Sequence, residues 1–155
     1  MGLDLDFDVI LFHVGRLAIA FVLALPVAWD RERAERTLGL RTFPLVAMAS
    51  AGYLLLARTV FDGAPEAQAR FFQGLMTGIG FLGGGAIVKR GLNVHGTATA
   101  ASIWNTAAMG AAVAYGLFEI ALLLSLVNFA VLRFLGAVKK EVNGGDEAGD
   151  GGSGE

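Results

Sequence analysis

The chain has 155 residues, of which 55% are hydrophobic and 17% are charged, and its formal net charge is −2. An average soluble domain has roughly a quarter of its residues charged, so this composition argues against an ordinary soluble enzyme. The net charge excludes a generally basic nucleic-acid-binding protein. The absence of cysteine excludes disulfides, thiolate nucleophiles and cysteine-based metal sites.

The apolar residues form five blocks with short charged or glycine-containing breaks between them, at residues 9–28, 43–61, 71–88, 97–116 and 117–135. Each block has about 18 to 20 residues, enough for a helix to cross roughly 30 Å of hydrocarbon. The alternating pattern of a barrel strand is missing. We therefore predict an all-α integral membrane protein with five transmembrane helices in one domain, residues 1–142, and a disordered, acidic, glycine-rich tail at residues 143–155.

Basic residues mark alternate connections between the blocks. Most Arg and Lys residues lie in the first and third connections and after the fifth block, whereas the N-terminus is acidic. Because cytoplasmic loops are enriched in Lys and Arg, this pattern predicts an external N-terminus and a cytoplasmic C-terminus. The acidic N-terminus also argues against a cleavable signal peptide.

The third block is rich in glycine. Gly74 with Gly78, and Gly80 with Gly84, form two G-x-x-x-G pairs, a spacing that lets transmembrane helices approach closely. We interpret the glycines as helix-packing positions: Gly74, Gly78, Gly80, Gly83, Gly84 and Gly85. The alternative is that the run at residues 83–85 breaks the helix and presents backbone groups to a ligand or ion.

Asn105 and Thr106 lie near the middle of the fourth block, and therefore near the predicted bilayer midplane. The favoured interpretation is that Asn105 forms a hydrogen bond to a neighbouring helix, with Asn128 or Ser125 as the candidate partner. The alternative is a transport site.

Arg16 is the basic residue that lies deepest inside a predicted span. An intramembrane arginine is by default a functional candidate, but its long side chain could also extend to the interface. Glu119 and Asp62 are candidate partners.

The acidic residues on the outer side could attract hydrated Mg²⁺, although no particular metal ligand is indicated. No nucleophile-and-base pair or acidic dyad can be assembled, so we expect a non-enzyme.

Short motifs follow one another in order over about residues 16–135. They are Arg16, Asp30-Arg31-Glu32, Gly-Leu-Arg-Thr at 39–42, Arg70-x-x-Gln73, Gly-Ile-Gly-Phe-Leu-Gly-Gly-Gly-Ala-Ile at 78–87, Gly-Leu-Asn-Val-His-Gly at 91–96 and Thr-Ala-Ala-Ser-Ile-Trp at 99–104. This series resembles the transmembrane domain of the MgtC/SapB family. The ordered series is far more specific than any single glycine pattern.

The resemblance implies a bacterial inner-membrane protein with five spans and an external N-terminus. Members of this virulence-associated family are linked to survival at low magnesium. They resemble regulators that bind other membrane proteins, including the F-type ATP synthase and ion or phosphate transporters. A homo-oligomer, with a dimer as its simplest form, is also expected.

The family's motif residues can be carried over to this chain one by one. They are Arg16, Asp30, Arg31, Glu32, Arg41, Arg70, Gln73 and Asn93, to which the midplane position adds Asn105. Asp30 stands where the family usually has Glu, and Asn105 where some members have Cys. Some members carry a C-terminal cytoplasmic domain, in place of which this sequence has only the short tail.

We therefore expect a non-enzymatic membrane regulator, linked to magnesium homeostasis, that contacts its partners helix to helix. The alternative is a transporter or channel for Mg²⁺ or another cation. That alternative would use Asn105, Thr106 and the backbone of residues 83–85, and it predicts an aqueous cavity that reaches the midplane.

Overall fold

The structure is a computed structural model that describes residues 6–35, 39–91 and 93–149. Within these residues it has five helices and one short hairpin, which are α1 (Phe7–Glu35), α2 (Thr42–Val60), α3 (Pro65–Gly85), β1 (Val88–Arg90), β2 (Asn93–His95), α4 (Thr97–Tyr115) and α5 (Phe118–Gly149). The predicted helical class is confirmed.

In the described part of the chain, three helices are long and apolar enough to cross a membrane, namely α1, α2 and α5. Helix α3 begins with a polar turn that contains Glu66 and Arg70, and α4 consists mainly of Ala, Thr, Ser and Gly. These two helices therefore have less apolar sequence than the other three. Five spans and their orientation stay a prediction.

The predicted third span differs from α3 at both ends. The helix begins at Pro65, because proline suits the first turn of a helix, where its missing N–H is not needed. It ends at Gly85, directly after the three consecutive glycines, and residue 88 belongs to β1. Helix α3 thus includes the polar segment that the hydropathy pattern had placed outside the membrane.

The hairpin after α3 was not predicted. Its strands pair antiparallel with Val88 opposite His95 and Arg90 opposite Asn93. Gly91 has a φ of 62°, a left-handed conformation typical of tight hairpin turns. The signal in the sequence was Gly91 between two three-residue segments, which is too short to stand out against five long apolar blocks.

Helix α4 is the centre of the bundle and contacts each of the four other helices. It packs most extensively on α2, where Gly110 faces the backbone of Ala47 so closely that a Cβ atom would overlap the Ala47 carbonyl oxygen. Ala20, Ala24 and Ala28 form a fully buried row on α1. Small side chains thus bring the helices together, as expected for helix association in lipid.

Helix α5 continues to Gly149 and thus past residue 142, where we place the end of the domain; this boundary and the disordered tail stay predictions. Extending an existing helix costs much less than starting one, so the backbone continues past the last apolar residues. The remaining tail, residues 150–155, lies outside the described residues.

Candidate functional site

Two arginines cap the C-terminal end of α4. The last carbonyl groups of a helix lack donors within the helix. At α4 the backbone amides of Gly116 and Leu117 donate hydrogen bonds to the carbonyls of Val113 and Ala112. Gly116 adopts the left-handed φ of 78° that this type of helix end requires. Of the two carbonyls that remain, that of Ala114 accepts hydrogen bonds from arginine side chains of two other helices.

These side chains are Arg16 of α1 and Arg58 of α2. Arg58 Nη1 donates to the Ala114 carbonyl at 2.7 Å, and Arg16 Nη1 donates to the same oxygen at 3.3 Å and also to the Val113 carbonyl. Cations at a helix C-terminus are favoured by the partial negative charge there. Three helices are thereby joined at one point.

The proposed partners of Arg16 were wrong. Neither Glu119 nor Asp62 forms an ion pair with it in the described part of the chain. Its guanidinium instead lies 4.8 Å from the ring centroid of Phe12 and 5.0 Å from that of Phe118. The side chain therefore binds carbonyl groups and aromatic faces rather than the carboxylates that we expected. Arg58, which sequence reasoning had not selected, lies 5.5 Å from the Tyr115 ring.

The polar residues in the middle of α4 form hydrogen bonds to α5 and within α4. Asn105 Nδ2 donates to the carbonyl oxygen of Leu124 at 3.1 Å, and Ser102 Oγ donates to Asn128 Oδ1 at 3.0 Å. Thr106, which is buried, donates to the Ser102 carbonyl of its own helix. The predicted connection from α4 to a neighbour is present, but Asn105 bonds to a backbone carbonyl rather than to Asn128 or Ser125.

Ser125 joins α5 to α1 instead. Its hydroxyl donates to the carbonyl oxygen of Leu23 at 2.6 Å, and the side chain is buried. The middle of the bundle therefore has polar contacts from α5 to both α4 and α1. These contacts hold the helices in register.

The Asp30-Arg31-Glu32 motif lies at the other end of α1, about 21 Å from Arg16 along the helix axis. Arg31 Nη2 and Asp30 Oδ2 form an ion pair at 2.6 Å, and both side chains are largely buried. Glu32 Oε2 accepts a hydrogen bond from the backbone N–H of Leu40 at 3.0 Å, which ties α1 to the start of α2. Glu32 of the motif therefore joins the end of α1 to Leu40, just before α2.

The other predicted site residues do not gather into one place. Arg41 is exposed at the start of α2, Arg70 and Gln73 are exposed on α3, and Asn93 is exposed in the hairpin. Among the described residues, no group of three or more His, Asp or Glu side chains could hold a metal ion.

The glycines of α3 differ in their surroundings. A Cβ atom at Gly83 would lie 3.5 Å from the Ala100 carbonyl of α4, and one at Gly74 would lie 3.7 Å from the Tyr53 hydroxyl. At the other four predicted packing positions a Cβ atom would meet nothing within 4 Å. These positions are Gly78, Gly80, Gly84 and Gly85. Gly83 and Gly74 thus pack against neighbouring helices of the same chain. Packing at the other four glycines stays a prediction, and it would need a second molecule.

The MgtC family model matches residues 17–141, a range that contains all five helices apart from the ends of the first and last. The chain belongs to the MgtC family. The predicted resemblance is confirmed, and the motifs that carried it lie on α1, α3, the hairpin and α4 of this MgtC-family fold.

Individual relatives agree with the family match. The chain is 41% identical over 112 residues to the uncharacterized protein slr0014 of Synechocystis, covering 72% of this chain and 47% of that protein. It is 31% identical over 131 residues to protein MgtC of Salmonella typhimurium, covering 84% and 55%. With the putative magnesium transporter YhiD of Escherichia coli, identity is 32% over 124 residues, covering 76% and 58%.

The chain therefore spans about half the length of these relatives. No solved structure matches it. The family match and the apolar helices together identify a membrane protein.

Proposed function

We propose that this MgtC-family chain is a non-enzymatic regulator of magnesium homeostasis in the bacterial inner membrane, and that it acts by binding another membrane protein. A magnesium-related role is supported by the family and by the name of the YhiD relative. Candidate partners are the F-type ATP synthase and ion or phosphate transporters, and a second copy of the chain. We assign no resident cofactor, and Mg²⁺ would be a signal rather than a structural ion.

The observation that carries this proposal is that α3 has two open faces, Gly78 with Gly85 and Gly80 with Gly84, which lie on different sides of the helix. These residues are exposed, and space for a side chain remains at each of them. In α3 as a whole, Ile79 and Gly83 are the residues buried against the rest of the chain. Since small residues allow close approach of helices in lipid, each of these faces is suited to a partner helix.

The middle of α4 supports regulation over transport. A cation pathway would need the polar atoms of Asn105 and Thr106 to face a water-filled space. Both side chains instead donate hydrogen bonds to carbonyl groups of α5 and α4, and Thr106 is 1% exposed. Asn105 thereby joins α4 to α5, and Thr106 bonds within α4 in a buried position, an arrangement that favours helix packing over a water-filled pathway.

Partner binding can be tested by crosslinking in native membranes, from cells grown at low and at high Mg²⁺. Gly78→Leu fills one open face of α3 and Gly84→Leu fills the other, and the variant that fills the face used by the partner should abolish its capture. Gly136→Leu on α5 is the matched control, because Gly136 is also exposed with no neighbour within 4 Å. Equal loss of capture in the control, or full capture by the α3 variants, would contradict the proposal.

Transport is tested directly by placing the purified protein in liposomes and measuring Mg²⁺ flux down a gradient. The regulator proposal predicts the same flux as in empty liposomes. A flux that depends on the protein and disappears in Asn105→Ala would establish the transporter alternative.

We also propose that all five helices cross the membrane, with the N-terminus outside and the C-terminus in the cytoplasm. The chain contains no cysteine, so single cysteines can report on topology. Ala64→Cys, between α2 and α3, should react with a membrane-impermeant maleimide in intact spheroplasts, whereas Lys89→Cys in the hairpin should react only after permeabilisation. Both positions are exposed. Labelling of both from the same side would rule out this arrangement.

A further inference from the structure

A cavity of about 630 Å³ opens beside the arginine cap of α4. Its wall combines side chains from α1, α2, α3 and α4 with Asp62 of the connection between α2 and α3, and it includes both capping arginines, His13, Gln68 and Tyr115. Small-molecule sites in proteins have volumes of about 300–1,000 Å³ with a few convergent polar groups. The size and lining of this cavity are thus those of a binding site.

Two positive charges lie next to each other in this wall. Because Arg16 Nη1 and Arg58 Nη1 both donate to the carbonyl oxygen of Ala114, at 3.3 Å and 2.7 Å, the two nitrogens are at most about 6 Å apart. Like charges this close repel each other, and the repulsion grows where the surroundings are apolar. An occupant with negative charge would relieve it.

The negative charge already present does not balance these two arginines. The α4 C-terminus supplies about half an elementary charge. Asp62 belongs to the wall, but among the described residues it forms no ion pair with either guanidinium within 4.0 Å. An excess of positive charge therefore remains in the wall of this cavity.

Hydrogen-bond donors also remain. A guanidinium group carries five N–H donors, and the structure engages Nη1 of each arginine. The Nε and Nη2 donors of both have no acceptor among the described residues. His13 Nδ1, in the same wall, is buried and has no hydrogen-bond partner in the described part of the chain. These groups are available for hydrogen bonds to a ligand that enters the cavity.

We propose that this cavity binds an anionic phosphate group, either as free phosphate or as the phosphodiester headgroup of a lipid with net negative charge, which zwitterionic phosphatidylcholine lacks. Planar guanidinium groups match the geometry of phosphate oxygens and bind them with two parallel hydrogen bonds. The carbonyls of Val113 and Ala114 hold the arginines in place, so little side-chain entropy is lost when the anion binds. This site lies apart from the two open faces of α3, and its occupation is independent of the proposed partner binding.

The test uses the full-length protein in detergent and in nanodiscs. Binding of radiolabelled inorganic phosphate is measured by equilibrium dialysis, and the melting temperature is measured with phosphate against chloride at equal ionic strength. Nanodiscs of phosphatidylcholine are compared with nanodiscs that contain phosphatidylglycerol. Arg58→Gln is the test variant, because Arg16 still donates to the Ala114 carbonyl when Arg58 is removed. Arg70→Gln is the matched control, since Arg70 is exposed on α3 and does not line the cavity.

We expect the wild type to bind the phosphate group, Arg58→Gln to bind it about ten- to hundredfold more weakly, and Arg70→Gln to bind it like the wild type. Asp62→Asn removes a negative charge from the wall and should tighten binding, a gain that loss of folding cannot mimic. Stabilisation by free phosphate identifies a soluble anion, whereas stabilisation only by phosphatidylglycerol identifies a lipid headgroup. If neither ligand stabilises the wild type, or if Arg58→Gln responds like Arg70→Gln, the proposal is overturned.

Discussion

Gly110 lies where α2 and α4 approach too closely for a side chain, and replacing it with alanine tests that packing. The added Cβ atom would overlap the carbonyl oxygen of Ala47 and lie 3.1 Å from the Cβ atom of Ser50. Because the carbonyl belongs to the backbone of α2, the overlap can be relieved only if the helices move apart. Overpacking of this kind costs about 1–3 kcal/mol, whereas alanine in place of glycine favours a helix by about 1 kcal/mol.

Gly78→Ala is the matched control, because a Cβ atom there meets nothing within 4 Å. Both variants gain the same helix propensity, so the difference between their melting temperatures isolates the packing cost. Taking that cost as about 2 kcal/mol, and about 2–4 °C per kcal/mol for a chain of this size, Gly110→Ala should melt about 4–8 °C below Gly78→Ala. Thermal unfolding in detergent, followed by circular dichroism, measures the difference. Equal melting temperatures would refute the close contact of α2 with α4 at this position.

Three further predictions use the same unfolding assay. A double-mutant cycle of Ser102→Ala and Asn128→Ala should give a coupling of about 0.6 kcal/mol, and strictly additive effects would mean that the two side chains do not bond. Ser125→Ala should lower the free energy of unfolding by a similar amount because it removes the bond from α5 to Leu23 of α1; an unchanged value would contradict that contact. Gly96→Ala should destabilise more than 1 kcal/mol, because Gly96 has a φ of 84° and its Cβ atom would overlap the Ala86 carbonyl; a neutral effect would show that this backbone conformation is not needed.

The helices could be predicted from the sequence wherever apolar length alone defines them. The predicted span at 43–61 differs from α2 by one residue at each end, and the span at 97–116 ends one residue after α4. The start of α3 could not be placed by hydropathy, because its first turns contain Glu66 and Arg70 and the helix signal there is Pro65. The hairpin has only three residues in each strand, a length at which alternation carries almost no information.

The candidate site was only partly predictable. Arg16 stood out because a charge within an apolar block is rare, but its acceptors lie 97 and 98 residues further along the chain and are backbone carbonyls. Every residue has such a carbonyl, so the sequence offers nothing to distinguish Val113 and Ala114. Glycine spacing likewise indicates that a helix has a small face without indicating what covers it. The close backbone contact therefore occurs at Gly110, while four glycines of α3 remain open.

The central place of α4 has a consequence for how the protein is made. This helix touches all four others, yet it is not one of the three helices in the described chain that are apolar enough to enter a membrane by themselves. A segment of that kind inserts efficiently only when neighbours shield its hydroxyl and amide groups from lipid. We therefore expect α1 and α2 to stay near the site of membrane insertion until α4 emerges. Substitutions on the faces that pack against α4 should then impair membrane insertion more than they impair the stability of the finished fold.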